Sequence, residues 1–219
     1  MSLMNKILCK LAGINEELKQ IYEERGICDE YIDKYRALHS KKLQGMDCLI
    51  LAGMYTSRER YSESEEMLDR VKINFMTDDT LKGVYYLEKM NLLIGLKKGE
   101  EALDIFIKNQ KFLDIFFSAP SQRSRAIAYY DTAAVVLAMN GRLEAAGYYY
   151  QLEQKSAETY DITGTYPRLT NVHMLKVVGN DAMAAEEAEK TRQYIENYDS
   201  YKYAWQKADF IRMLDIYMK

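Results

Sequence analysis

The sequence predicts an all-α fold, an α-solenoid of antiparallel helical hairpins with about 10–11 helices, and three observations lead there. First, only 2 prolines and 11 glycines occur in 219 residues, too few turn-formers for a chain of many short strands. Second, in TAAVVLAMNGRLEAAGYYYQLEQ an apolar helical run meets Asn140-Gly141, and a second run with a different apolar face begins at once. Third, the same layout returns in LAGMYTSRERYSESEEMLDRV, in YLEKMNLLIGLKKGEEALDIF and in LTNVHMLKVVGNDAMAAEEAEK, at a spacing of roughly forty residues.

Taken in order, the hairpins are expected at about 12–40, 46–75, 79–117, 121–160 and 166–197, with a C-terminal capping helix at 200–218, all in a single domain. The N-terminal stretch reads as helix and not as a signal peptide, because Lys10 cuts its apolar run and acidic residues follow. A degenerate first hairpin runs through Leu18, Tyr22, Gly26, Tyr31 and Tyr35.

In the second hairpin, Ser62-x-x-Glu65 looks locally like a capping box. Alignment with the fourth hairpin instead places Glu59-Arg60-Tyr61 where Gly141-Arg142-Leu143 stands, which puts the corner earlier and makes Ser64 a small packing residue. Thr77-Asp78-Asp79-Thr80 supplies capping oxygens for the third hairpin. Ser118-Ala119-Pro120-Ser121 and Thr163-Gly164-Thr165-Tyr166-Pro167 fall between hairpins. The final helix is apolar on more than one side, through Trp205, Phe210, Ile211, Met213, Leu214 and Ile216, and is the expected surface for any homo-oligomer.

Small residues recur where two helices must cross closely. Ala52 precedes Ser64, and Ala134 precedes Ala146, by twelve positions in each case. The run Cys48, Leu51, Ala52, Tyr55, Ser64, Leu68 resembles the tetratricopeptide repeat pattern W-x2-L-G-x2-Y…A-x3-F, as does Tyr130, Ala133, Ala134, Leu137, Ala146, Tyr150. The last hairpin matches through Val172, Leu175, Gly179, Ala184 and Ala188. The third matches through Tyr86, Met90, Leu93, Ala102 and Phe106; Lys89 departs from the pattern and points to a register shift around Gly99. The anchors Ala52, Met90, Ala134 and Val172 are 38, 44 and 38 residues apart, longer than the standard repeat, so the resemblance is to the broader TPR-like class and covers about 12–195.

The resemblance implies that the first helix of each hairpin lines a concave groove. Between the packing anchors, the peptide-groove candidates are then Leu49, Gly53, Asn91, Asp131, Thr132, Val135 and His173, with Thr56, Ile94, Ala138 and Leu169 beside them. Of these only Asn91 suits the carboxylate clamp by which similar domains hold chaperone C-termini, so that partner is not expected. A protein or peptide with apolar anchors is. For His173 two readings stand, a groove-facing hydrogen-bonding residue or a partly buried histidine with one backbone partner.

Composition narrows the function classes. The chain is 48% hydrophobic and 29% charged with a net charge of −3, and its basic residues fall in short scattered pairs, so no stripe for nucleic acid is expected. Cys9, Cys28 and Cys48 lack metal-ligand or disulfide spacing, which fits a reduced, cytoplasmic setting. No apolar run approaches the ~20 residues of a membrane span. With two histidines and no catalytic or phosphate-loop motif, neither enzyme activity nor a metal or cofactor is expected.

The leading expectation is therefore a non-enzymatic protein- or peptide-binding module or scaffold. The alternative is a detached sensory or regulatory domain resembling those of peptide-responsive bacterial transcription regulators.

Overall fold

The computed structural model describes residues 16–39, 45–73, 77–159 and 164–219. Outside them lie most of the expected N-terminal helix, Cys9, the Lys41-Lys42 pair and the hairpin limits at 12, 40, 75 and 160. The described residues are all-helical and carry no strand: α1 (16–25), α2 (Asp29–His39), α3 (Met46–Ser57), α4 (Tyr61–Asp69), α5 (Asp79–Gly95), α6 (Gly99–Ser118), α7 (Arg123–Met139), α8 (Leu143–Thr159), α9 (Thr165–Val177), α10 (Asp181–Asn197) and α11 (Trp205–Tyr217). A 3₁₀ turn at Pro120–Gln122 separates α6 from α7. No helix among the described residues is long and apolar enough to cross a membrane.

Four corners repeat one geometry. Glu59, Lys97, Gly141 and Gly179 all have positive φ, between 57° and 78°, and each stands two positions before the next helix begins. The residue after each returns its N–H five positions back, Arg60 to Tyr55 O (2.9 Å), Lys98 to Leu93 O (2.8 Å), Arg142 to Leu137 O (3.0 Å) and Asn180 to Leu175 O (3.0 Å). The positive-φ residue itself donates three positions back. This pair of bonds is a Schellman C-cap, which satisfies carbonyls that the helix end would otherwise leave open. Lys97 makes the turn between α5 and α6 and Gly99 is already the first residue of α6, so no register shift occurs there.

Seven residues before each corner stand Ala52, Met90, Ala134 and Val172; five after it stand Ser64, Ala102, Ala146 and Ala184. All eight are fully buried. The small second-helix residues let the paired helices approach closely, and Ser64 satisfies its hydroxyl by donating to Ala52 O (3.0 Å) on the facing helix. Each of α4, α6, α8 and α10 packs on the helix before it, while α3, α5, α7 and α9 touch one another in succession. α5 joins two cores: Val84 and Leu92 pack with Ile32, Leu51 and Met67, whereas Leu87, Met90 and Leu93 pack with Phe106, Leu113 and Leu137. Its start is fixed by Asp78, whose carboxylate accepts from Thr80 N at 2.7 Å and Leu81 N at 3.3 Å.

The tyrosine run divides by direction. Tyr149 is buried against Phe106 and donates to Asp114 (2.8 Å), Tyr150 is half-buried, and Tyr148 projects into solvent at 58% exposure.

α11 does more than cover an open end. Phe210 and Leu214 join Leu169, Val172 and Ile195 in a third core, yet the helix also reaches the other extreme of the chain. The Trp205 ring lies against Tyr22 (5.2 Å between centroids) and over Gly26, where an added Cβ would come within 2.5 Å of it. Gly26 has φ +66° and no side chain, and both are needed at this close approach. Further along, Arg58 pairs with Asp209 at 3.1 Å, Arg212 donates to Ser57 O at 2.7 Å, and Lys219 pairs with Glu59 at 2.6 Å. The apolar residues expected to meet a second copy are therefore largely occupied within the chain.

Candidate functional site

The inner faces of α3, α5, α7 and α9, together with α11 across them, enclose a partly open cavity of about 960 Å³. Its wall is mostly apolar, with Ile94, Ile127, Val135 and Met139 on one side and Met213 and Ile216 of α11 on the other. Gly53, Asn91, Asp131, Thr132, Val135 and His173, six of the groove candidates, line this one space, as do Thr56 and Ile94. Leu49 does not. It is fully buried among Cys48, Leu51 and Ala52, because its position on α3 turns it into the helix-packing core and away from the cavity. Ala138 and Leu169 are core residues for the same reason.

Polar groups enter the apolar wall as two small networks. On the α3–α5 side, Gly53 leaves room for Glu88, whose carboxylate would stand 2.9 Å from a Cβ at that position. Burial pushes the Glu88 carboxyl up to about 7, opposed by a hydrogen bond from the Asn91 side chain. The Thr132 hydroxyl in turn lies 2.7 Å from Asn91 Oδ1 and 2.7 Å from Ala128 O, two acceptors for its single hydrogen.

On the α7–α9 side, the Thr170 hydroxyl lies 2.9 Å from Asp131 Oδ1, 2.9 Å from Glu153 Oε1 and 3.2 Å from Tyr166 O. A hydroxyl carries one hydrogen, so it cannot donate to all three; at least one of the two carboxyl contacts requires a proton on the carboxyl. Burial raises both carboxyls, and for Glu153 the neighbouring Asp131 charge adds to it, while Thr170 opposes both shifts. Glu153 is fully buried, and no described residue donates to its Oε2. Leaving such an oxygen unpaired costs about 1–3 kcal/mol.

His173 faces the cavity and stacks on Tyr217 of α11, with ring centroids 4.1 Å apart and planes 9° from parallel. Burial desolvates the ring and pulls the imidazole down to about 4, so it is neutral near pH 7. The same burial raises the Tyr217 phenol.

Glu88, Glu153 and Tyr217 were missed by sequence reasoning, and one signal was present. Glu153 sits seven residues after Ala146 and four after Tyr149, on the buried stripe of α8, where a lone carboxylate breaks the apolar pattern. Tyr217 gave no such signal, because its place depends on α11 reaching back to Ser57 and Arg58. Among the described residues no group of three or more His, Cys, Asp or Glu side chains could hold a metal ion. Comparison of the chain with protein-family models, curated proteins and solved structures yields no match.

Proposed function

We propose that the chain is a non-enzymatic binding module, a TPR-like array of antiparallel hairpins whose inner face, roofed by α11, holds a short peptide or an extended segment of a partner protein. The cavity carries this reading. A volume of about 960 Å³ lies at the upper end of the roughly 300–1,000 Å³ of ligand sites, and an apolar wall with a few placed polar groups is their usual chemistry. Because α11 already lies across the inner face, the remaining space suits a short extended ligand and not a partner helix. The stacked, neutral His173 and the internally paired Asn91 and Thr132 fit positioning roles better than nucleophilic ones.

Ala128 offers a clean test, since it lines the cavity yet remains exposed, so a larger side chain there fills space without overpacking the core. Peptides are selected from a random display library on the immobilised protein and titrated calorimetrically. The proposal expects enriched peptides that bind the parent and lose at least about tenfold affinity to Ala128→Trp, a variant that keeps its melting temperature. Absence of enriched peptides, or equal affinity for both proteins, would overturn it.

A further inference from the structure

Two features of the α7–α9 side of the cavity call for a ligand of one kind. Asp131 Oδ1 and Glu153 Oε1 meet on a single Thr170 hydroxyl at 2.9 Å each, so two carboxylates lie within two hydrogen-bond lengths of each other. Independently, Glu153 is a fully buried residue of the cavity lining, and its Oε2 receives no hydrogen bond. Acceptors brought together in this way, with one unfilled, match a donor that carries several N–H groups and a positive charge.

We infer that the Asp131, Thr170 and Glu153 group seats the ammonium of a ligand whose apolar body lies along Ile127, Val135, Met213 and Ile216. The inference rests on the reading of the cavity as a ligand site and adds the chemistry of the ligand's polar end. Both the α-amine of a short apolar peptide and a simple alkylamine supply that end. An ammonium donates to Glu153 Oε2 and to Asp131, and its charge takes over the role of the proton that keeps the two carboxylates compatible. That proton leaves to solvent on binding, so the net charge of the site is unchanged.

The groups facing the pair set the pH dependence. They are Tyr166 and His173 from α9, Tyr217 from α11 and, across the cavity, Glu88 from α5. Arg212 on α11 is engaged by Asp209 and Ser57 O. His173 is neutral near neutrality, and the cations that line the same cavity are Lys97, Lys176 and Lys219, of which Lys176 pairs with Asp181 at 2.8 Å and Lys219 with Glu59 at 2.6 Å. Raising the pH removes the carboxyl proton and strengthens ammonium binding.

The experiment measures binding of n-hexylammonium, n-hexanol and hexanoate by thermal shift and calorimetry, at about pH 6 and about pH 8. The expected result is at least about tenfold preference for n-hexylammonium over n-hexanol, greater at the higher pH, with hexanoate weakest. In Glu153→Gln, an isosteric change, and separately in Asp131→Asn, the preference disappears while n-hexanol binding persists. A free-amine apolar peptide compared with its N-acetyl form separates a peptide source from a simple amine. Equal binding of n-hexylammonium and n-hexanol, or a preference that survives both variants, would overturn the inference and leave the cavity reading intact. Failure of all three probes, together with failure of the peptide selection, would remove both.

Discussion

Glu88 is held by its surroundings in a form it would not adopt in water. In the folded chain its carboxyl keeps a proton up to about 7, whereas the unfolded chain releases it near 4.5. Between those values the folded state binds more protons than the unfolded one, so stability falls as pH rises through the window. His173 works in the opposite sense. Its folded value of about 4 lies below the ordinary 6.5, so there the unfolded state binds more protons and stability rises with pH. The two slopes oppose each other over most of the acidic range, while Asp131 and Glu153, whose carboxyls are also raised, act in the same sense as Glu88. Glu88→Gln removes one of them, so relative to the parent the variant should gain about 1–3 kcal/mol between about pH 5 and about pH 8, read by urea denaturation. A difference independent of pH would mean that Glu88 is solvated in the folded chain.

At the scale of the helix pair, Ala134 and Ala146 mark the close crossing of α7 and α8, and both are fully buried. Enlarging either to Leu should cost about 1–3 kcal/mol in chemical denaturation, because the added methylenes have no space to enter. A change within about 0.5 kcal/mol, as on an open surface, would contradict this packing. The twelve-residue interval between the two alanines is what made the pair legible in the sequence, and it recurs from Ala52 to Ser64, from Met90 to Ala102 and from Val172 to Ala184. Corners were harder to place. Gly141 and Gly179 announce theirs, but Glu59 and Lys97 adopt the same left-handed backbone without being glycine, at a cost of roughly 1–2 kcal/mol each. That is why Gly99, a glycine two residues past the third corner, drew attention too late. Leu49 was misassigned for a related reason. Its neighbours Cys48, Leu51 and Ala52 identify the packing face of α3, but the apolar pattern of that helix is nearly continuous and does not separate core from cavity.

Over the whole molecule, the feature that sequence periodicity could not reveal is the path of α11. Its contacts with Gly26, Tyr22, Ser57, Arg58 and Glu59 link positions more than 150 residues apart, and such pairs leave no local pattern. Through them a face that repeat logic reads as an open groove becomes a bounded cavity, and Met213, Ile216 and Tyr217 become part of its wall. The central claim is that this interior, and not the outer helix surface, receives the ligand. Methyl NMR tests it most directly. In protein labelled at isoleucine methyls, the display-selected peptide should shift Ile94, Ile127 and Ile216, which line the cavity, and leave the exposed Ile107 and Ile115 unmoved. Shifts confined to Ile107 and Ile115, with the three cavity signals unchanged at saturation, would contradict the account.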